Sequence, residues 1–256
     1  MTSTRPWTPR MERAVSSIMS TKRTGLSRMT VRKSSWALLQ ANPVSPQPRK
    51  RMKAAVQAMG NDKGSLDILI VQLVTLMRAG VTVSMSTRKG EFISLRELLD
   101  DMGPDVTRFF FLSRRLDSHL DLDVDLAKKE SSDNPVYYMQ YAHARISSIL
   151  AAETKQNIAP EKIDFTLLQA AGELALVRKI AEFPEEIIKV ASSREPHHLT
   201  HYAHELASLF HSFYNSCRVL TDEKPLRQAR LGLVRATRIT LRNVLGLLGV
   251  SAPERM

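Results

Sequence analysis

Apolar positions recur along the chain with two different periods, and the change between them divides the sequence. Residues 66–77 (LDILIVQLVTLM) form a nearly continuous run of Ile, Val and Leu, which predicts a buried strand. Arg78, Ala79 and Gly80 should turn the chain, and residues 81–85 should return beside it. Ser94 followed by Glu97 has the spacing of a capping box. It predicts a helix that runs to about Met102 and stops at Gly103-Pro104. A second helix should follow, with Val106, Phe109, Phe110 and Leu112 on its apolar side. Residues 121–125 then alternate Asp with Leu or Val. Upstream, residues 51–59 predict a short helix that ends at Gly60, where a positive φ is tolerated.

From Asn134 onward the period is helical throughout. Asn134 can cap a helix whose first position is Pro135, where a missing N–H costs nothing. That helix carries Tyr137, Tyr138, Tyr141, Ala142, Arg145 and Ile149. A polar connection over 153–165 leads to an amphipathic stretch marked by Leu167, Ala171, Leu174 and Val177. A separate short helix is expected over 184–192. Over 196–220, Leu206, Leu209, Phe210, Phe213 and Cys217 share one direction, and His197, His201, His204 and His211 lie opposite. The last helix starts near Lys224-Pro225. Leu226, Ala229, Leu233, Val244 and Leu247 form its apolar face, and Arg235, Arg238 and Arg242 form a basic one. This part of the chain predicts an all-α bundle.

Residues 1–50 show no period of either kind. They hold ten Lys and Arg against one acid, Glu12, so +9 of the chain's net +11 sits there. The remainder is close to neutral, at +2. The leader also contains fourteen Ser and Thr, five Pro and both Trp, Trp7 and Trp36. An organelle transit peptide, a disordered basic arm and a segment read in a wrong frame all fit this composition. The high pI therefore says little about the remainder, whose function has to be read from its own residues. One cysteine, Cys217, excludes an intramolecular disulfide framework and fits a reducing compartment, which leads us to expect the cytoplasm. No apolar run reaches the ~18 residues of a membrane span.

Four groups of residues carry candidate chemistry. The histidine stripe has the i,i+4 spacing of metal ligands, but no Cys or carboxylate completes a site, so an exposed or partner-facing surface is expected and no metal is assigned. The three arginines of the last helix suit phosphates as well as plain solvent. Tyr138 and Tyr141, three apart near a helix start, suit base stacking, although core packing is the commoner use of such a pair. Ser84, Met85, Ser86, Thr87, Arg88 and Lys89 form a small, polar, basic loop between a strand and a helix, closed by Gly90. Such a loop offers hydroxyl, amide and cationic donors to a phosphate chain. It lacks the glycine spacing of a Walker loop.

Together these residues resemble a known family. The stretches SMSTRKGEFISLRELLDDMGPDVTRFFFLSRR, DSHLDLDVDLAKKESSDNPVYYMQYAHARISSIL and the ending LLGVSAPERM are similar to bacterial arginyl-tRNA synthetases, a class I family. The resemblance covers residues 51–256. It implies a mainly α chain: a partial Rossmann-type α/β remnant over 51–130, then an all-α anticodon-binding helical bundle over 131–256, with residues 1–50 as a leader outside the family pattern. The implied activity is arginine–tRNA ligation through an arginyl-adenylate, with ATP and magnesium as cofactors of the full-length family. The implied partner is arginine tRNA, bound by a monomer with no membrane association. Residues 84–88 correspond to the K-M-S-K-S signature that steadies the ATP phosphates, and with Lys89 they make up the implied ATP-binding loop. Tyr138, Tyr141, Tyr214, Arg235, Arg238, Arg242 and Met256 become candidate tRNA contacts.

The sequence also departs from the family. Ser84 stands where the signature has its first Lys and Thr87 where it has its second, leaving Arg88 or Lys89 to supply the charge. The family's H-I-G-H-type motif has no counterpart in residues 1–50, and the first His in the chain is His119. These departures lead us to expect a truncated form limited to anticodon binding. No catalytic set is complete in it, and tight ATP binding is not expected. A frame disruption upstream of Arg51 would explain the seam. A free-standing tRNA-binding or regulatory module is the alternative.

Overall fold

The computed structural model describes residues 47–83, 93–154 and 163–256. Its contacts divide the chain into two units, Met1–Ile68 and Leu69–Met256. The first contributes helix α1 (Gln47–Ala58), which passes into Gly60 at φ +82°. A 3-10 turn at Lys63–Ser65 follows, with the Asp62 carboxylate accepting the Gly64 N–H at 2.6 Å. Helix α1 ends where expected but starts at Gln47, so it crosses the charge seam at residue 50 without a break. The rest of the leader, residues 1–46, lies outside the described residues, as does the loop of Ser84, Met85, Ser86, Thr87, Arg88 and Lys89.

The second unit opens with a small sheet ordered β2-β1-β3. Strand β1 (Val74–Arg78) pairs antiparallel with β2 (Val81–Thr82) and parallel with β3 (Leu120–Asp123). Ala79 and Gly80, both at positive φ, make the tight turn between β1 and β2. Helices α2 (Leu95–Met102) and α3 (Pro104–Leu112) form the crossover that lets β3 run parallel to β1. The capping box at the start of α2 is present: Ser94 Oγ accepts the Glu97 N–H at 3.2 Å, and the Glu97 carboxylate accepts the Ser94 N–H. Leu76, Leu98, Met102, Leu120, Leu122, Val124 and Ala127 bury a separate small core beneath the sheet.

The strand predicted over 66–77 is a correction. Only residues from Val74 on pair, and Leu69, Val71 and Leu73 are 61–66% exposed. An apolar run becomes a strand when a partner strand takes its backbone groups and a layer covers its side chains. Over residues 69–73 no partner strand pairs among the described residues; the Gln72 N–H donates to the Leu116 carbonyl at 2.8 Å, outside any strand, and most of the apolar side chains stay open.

A one-turn helix, α4 (Val124–Ala127), leads to the bundle: α5 (Pro135–Thr154), α6 (Ala171–Ser193), α7 (His197–Ser216) and α8 (Lys224–Leu248). The molecule is therefore mainly α with a small α/β part. The sequence boundary expected near residue 130 falls inside the second contact unit. Helix α5 starts as its sequence demands. Asn134 Oδ1 accepts the Val136 N–H at 3.0 Å, while its amide donates to the Ala127 carbonyl at 2.9 Å and ties the cap to α4. The main core lies between the four helices, with Met139, Ile146, Leu176, Leu206, Phe210, Phe213, Leu241 and Leu245 all fully buried.

Helix α6 corrects two further expectations. It runs through Pro184 as one helix, so 184–192 is not separate. Its buried stripe is Leu176, Phe183 and Val190, with Ile180 and Ile187 beside it, whereas Leu174 and Val177 are exposed. Glu173 explains the rotation. Its side chain is 1% exposed and accepts from Arg230 of α8 at 2.6 Å and from the Ala170 N–H at 2.9 Å. Turning this carboxylate inward onto a guanidinium brings Leu176 inward and turns Leu174 and Val177 out.

Candidate nucleic-acid interface

One band of rings around a single guanidinium runs across α5 and α7. Tyr137, Tyr138, Tyr141 and Arg145 come from α5, at the i,i+3 and i,i+4 spacings that place side chains on one helix side. His204, His211 and Tyr214 come from α7. At the centre, the Arg145 guanidinium lies 4.5 Å from the Tyr141 ring centroid and 4.9 Å from that of Tyr214. Its Nη2 donates to the Tyr141 hydroxyl at 2.6 Å. The two tyrosines are 37% and 39% exposed, so their outer surfaces are open to solvent. Tyr137 stacks on Tyr141 at 6.2 Å with an interplanar angle of 8°.

Behind this platform, His211 packs on Tyr138 at 4.6 Å and on Tyr141 at 6.0 Å. His211 is buried, and its Nε2 faces the Tyr138 carbonyl at 3.5 Å. Burial lowers its pKa, and the nearby Arg145 charge adds to that, so the ring is neutral near pH 7. The positive charge of the platform is thus held by Arg145 alone. A guanidinium between two rings is a cation–π arrangement with a planar, donor-rich face. It suits an unpaired base, which needs a surface to stack on and donors for its polar edge.

The sequence-predicted contacts fall into three places. Tyr138, Tyr141 and Tyr214 come together in the band, with Tyr138 half-buried behind it. Met256 lines a neighbouring recess of about 580 Å³ with Tyr137 and Gln140. The tail that carries Met256 is pinned there. Ser251 N–H donates to Asp105 at 3.1 Å, Gln140 donates to Ser251 Oγ at 3.0 Å, and His143 Nδ1 donates to the Pro253 carbonyl at 2.8 Å. Arg235, Arg238 and Arg242 lie elsewhere, on α8. Arg235 Nη2 donates to both oxygens of the buried Glu153 at 2.6 Å, and Arg238 holds Glu254 at 2.8 Å. Arg242 is exposed. Two of these three charges are therefore spent on holding the fold.

The histidines also differ from expectation. His201 and His204 face solvent, but His197 and His211 are buried against neighbouring elements, so the side of α7 opposite its apolar stripe is covered in part. Among the described residues no three His, Cys, Asp or Glu side chains gather as a metal site. The sequence reasoning missed Arg145, His204, His211 and Tyr137 as parts of the band. The signal for Arg145 was its place four residues after Tyr141. The signal for the histidines was the helical period of α7, which required a register between two helices to be interpreted.

Residues 139–256 match the family of DALR anticodon-binding domains, so this bundle is a helical anticodon-binding domain. The chain is also similar to complete ligases. It is 53% identical over 213 residues to the arginine–tRNA ligase of Heliobacterium modesticaldum, covering 80% of this chain and 38% of that protein. It is 56% identical over 210 residues to the arginine–tRNA ligase of Desulfitobacterium hafniense, covering 80% and 37%. The structure resembles the arginyl-tRNA synthetase of Thermus thermophilus with a TM-score of 0.66 at 26% identity, covering 86% of this chain and 40% of that one. The chain belongs to the arginine–tRNA ligase family and corresponds to its C-terminal part. It spans less than two fifths of the length of the Heliobacterium and Desulfitobacterium ligases.

Proposed function

We propose that this chain binds the anticodon loop of an arginine tRNA through the band on α5 and α7. The observation that carries this reading is the exposed Tyr141–Arg145–Tyr214 sandwich on a domain of the anticodon-binding family. Tyr141 and Tyr214 offer stacking surfaces to unpaired bases, and Arg145 offers directional donors to a base edge or a phosphate. The neutral His211 holds Tyr138 and Tyr141 in place from behind. Met256 and Tyr137 border the platform and complete its apolar rim.

Arginine–tRNA ligation is the activity named for the relatives, and the part proposed for this chain in it is tRNA reading, as a monomer in the cytoplasm. ATP and magnesium belong to the catalytic step of the full-length relatives. Residues 84–89 would meet the ATP phosphates there, and the fit of that loop lies outside the described residues. No helix of the described residues is long and apolar enough to cross a membrane.

The test is binding of arginine-tRNA anticodon stem-loops to the purified chain, compared with stem-loops of swapped anticodon. Tyr141→Ala and Tyr214→Ala should each weaken binding by ~1–3 kcal/mol, the usual worth of one stacked base. Both side chains are over a third exposed, so the melt should stay as it is in the native chain. Equal affinity for swapped loops would reject anticodon reading and leave only phosphate attraction.

A further inference from the structure

The band continues past Tyr138. His204 stacks on Tyr138 with ring centroids 5.3 Å apart, and the same His204 lines a recess of about 500 Å³ beside the first turns of α7. Arg114 and Arg115, from the chain after α3, form one wall of this recess. His197, His201 and His204, from successive turns of α7, form the other. No carboxylate belongs to its lining among the described residues.

Three details point to an anion. Arg114 is exposed and has neither a hydrogen bond nor a salt bridge among the described residues, so its charge is uncommitted. Arg115 is oriented by Asp117 at 3.1 Å and Glu195 at 3.8 Å, with more than half of its side chain still open. His197 is only 8% exposed, and its Nδ1 is buried with no partner among the described residues. A buried polar nitrogen without a partner is costly, and a bound group that supplies one removes the cost. The recess also receives the N-terminal end of a 20-residue helix, whose dipole favours negative charge.

We infer that this recess holds a backbone phosphate of the same RNA whose unpaired bases lie on the tyrosine platform. The inference rests on the RNA-binding reading above and adds a second, separate site to it. The geometry favours one continuous strand over a stray anion. His204, Tyr138, His211, Tyr141, Arg145 and Tyr214 touch in sequence, without a gap, from the recess to the platform. From His204 to Tyr214 is about 15 Å along the helix at ~1.5 Å per residue. That is a length a few nucleotides of a single strand can span. A phosphate bound at one end therefore fixes where along the strand the base at the other end falls.

Arg114→Gln in the full chain tests this. The probe is an arginine-tRNA anticodon hairpin, titrated over a series of KCl concentrations. Loss of one phosphate contact should make the slope of log affinity against log salt shallower by about 0.7–0.9. Preference among loop sequences should stay as in the native chain. Arg178→Gln, which removes an exposed cation of α6 outside the recess, should leave the slope unchanged. An unchanged slope in Arg114→Gln, or an equal change in both variants, would overturn the inference while leaving anticodon reading intact. Failure of the native chain to bind any hairpin would remove both. Inorganic phosphate is the second probe. Shifts of the His197, His201 and His204 ring signals that phosphate induces and the hairpin cannot displace would make a free anion the ligand and overturn the RNA assignment.

Discussion

The helical bundle and the small sheet begin from similarly apolar sequence and end in different states. In the bundle, apolar side chains from four helices close on one another, and residues such as Phe210, Phe213 and Leu241 have no exposure at all. At the sheet, the most apolar stretch of the chain leaves Leu69, Ile70, Val71 and Leu73 at 41–66% exposure, and Val81 on the edge strand at 69%. A helix satisfies its own backbone and needs only one covered face. A strand needs neighbours on both edges and a layer above it. Burial therefore follows what each element can pair with in this chain rather than how apolar it is.

The comparison predicts a steep contrast in stability. Phe213→Ala should cost about 3–5 kcal/mol in a urea melt, the range for deleting a fully buried ring. Leu73→Ala, which removes a larger share of a nominally stronger apolar run, should change stability by less than about 0.5 kcal/mol. Similar losses at both sites would mean that the 69–73 stretch is covered in solution, and the contrast would fail.

Glu173→Ala sharpens the bundle side of the comparison. It leaves Arg230 without its 2.6 Å partner and the start of α6 without its cap. Breaking a buried pair of this kind costs ~3–5 kcal/mol, and partial solvent access at Arg230 places the expectation near ~3. A thermal melt within about 0.5 kcal/mol of the native chain would show that the pair does not set the rotation of α6.

Acidification gives a smaller, graded effect. Burial lowers the pKa of His143, His197 and His211 in the fold. The unfolded chain then binds more protons than the folded one below the free imidazole value of ~6.5. Stability is complete above that pH and falls as the pH drops through it toward the lower folded-state values. The melting temperature should therefore decline from pH 7.5 to pH 5. His143→Gln should reduce the decline, because its Nδ1 donates to Pro253 while its buried Nε2 has no partner among the described residues. A flat profile would contradict neutral burial of these rings.

Local signals in the sequence located most elements. Ser94 with Glu97, Asn134-Pro135, Gly103-Pro104 and the apolar stripe of α7 each depend on residues within a few positions of one another, and the structure has all of them. The misjudged elements depend on distant partners. Residues 66–73 needed a partner strand, and α6 was rotated by Arg230, more than fifty residues away. The site followed the same rule. Tyr138 and Tyr141 were legible as a pair on one helix. Their joining with Tyr214, and the place of Arg145 between two rings, depends on how α5 meets α7, which no single-helix pattern encodes. The α8 arginines read as a free basic face because Glu153 and Glu254 are distant in sequence from Arg235 and near Arg238 only after the tail folds back.

In the proposed interface Arg145 acts as a planar, stacked reader and not as a plain positive charge. Arg145→Lys keeps the charge and removes the plane and the fork of donors. The decisive measurement is the affinity of this variant for the arginine-tRNA anticodon stem-loop and for swapped loops, at one salt concentration. The expected result is a loss of about tenfold for the arginine loop, equivalent to ~1.4 kcal/mol, with discrimination between loops largely gone and the melt unchanged. Native affinity and native discrimination in Arg145→Lys would contradict it.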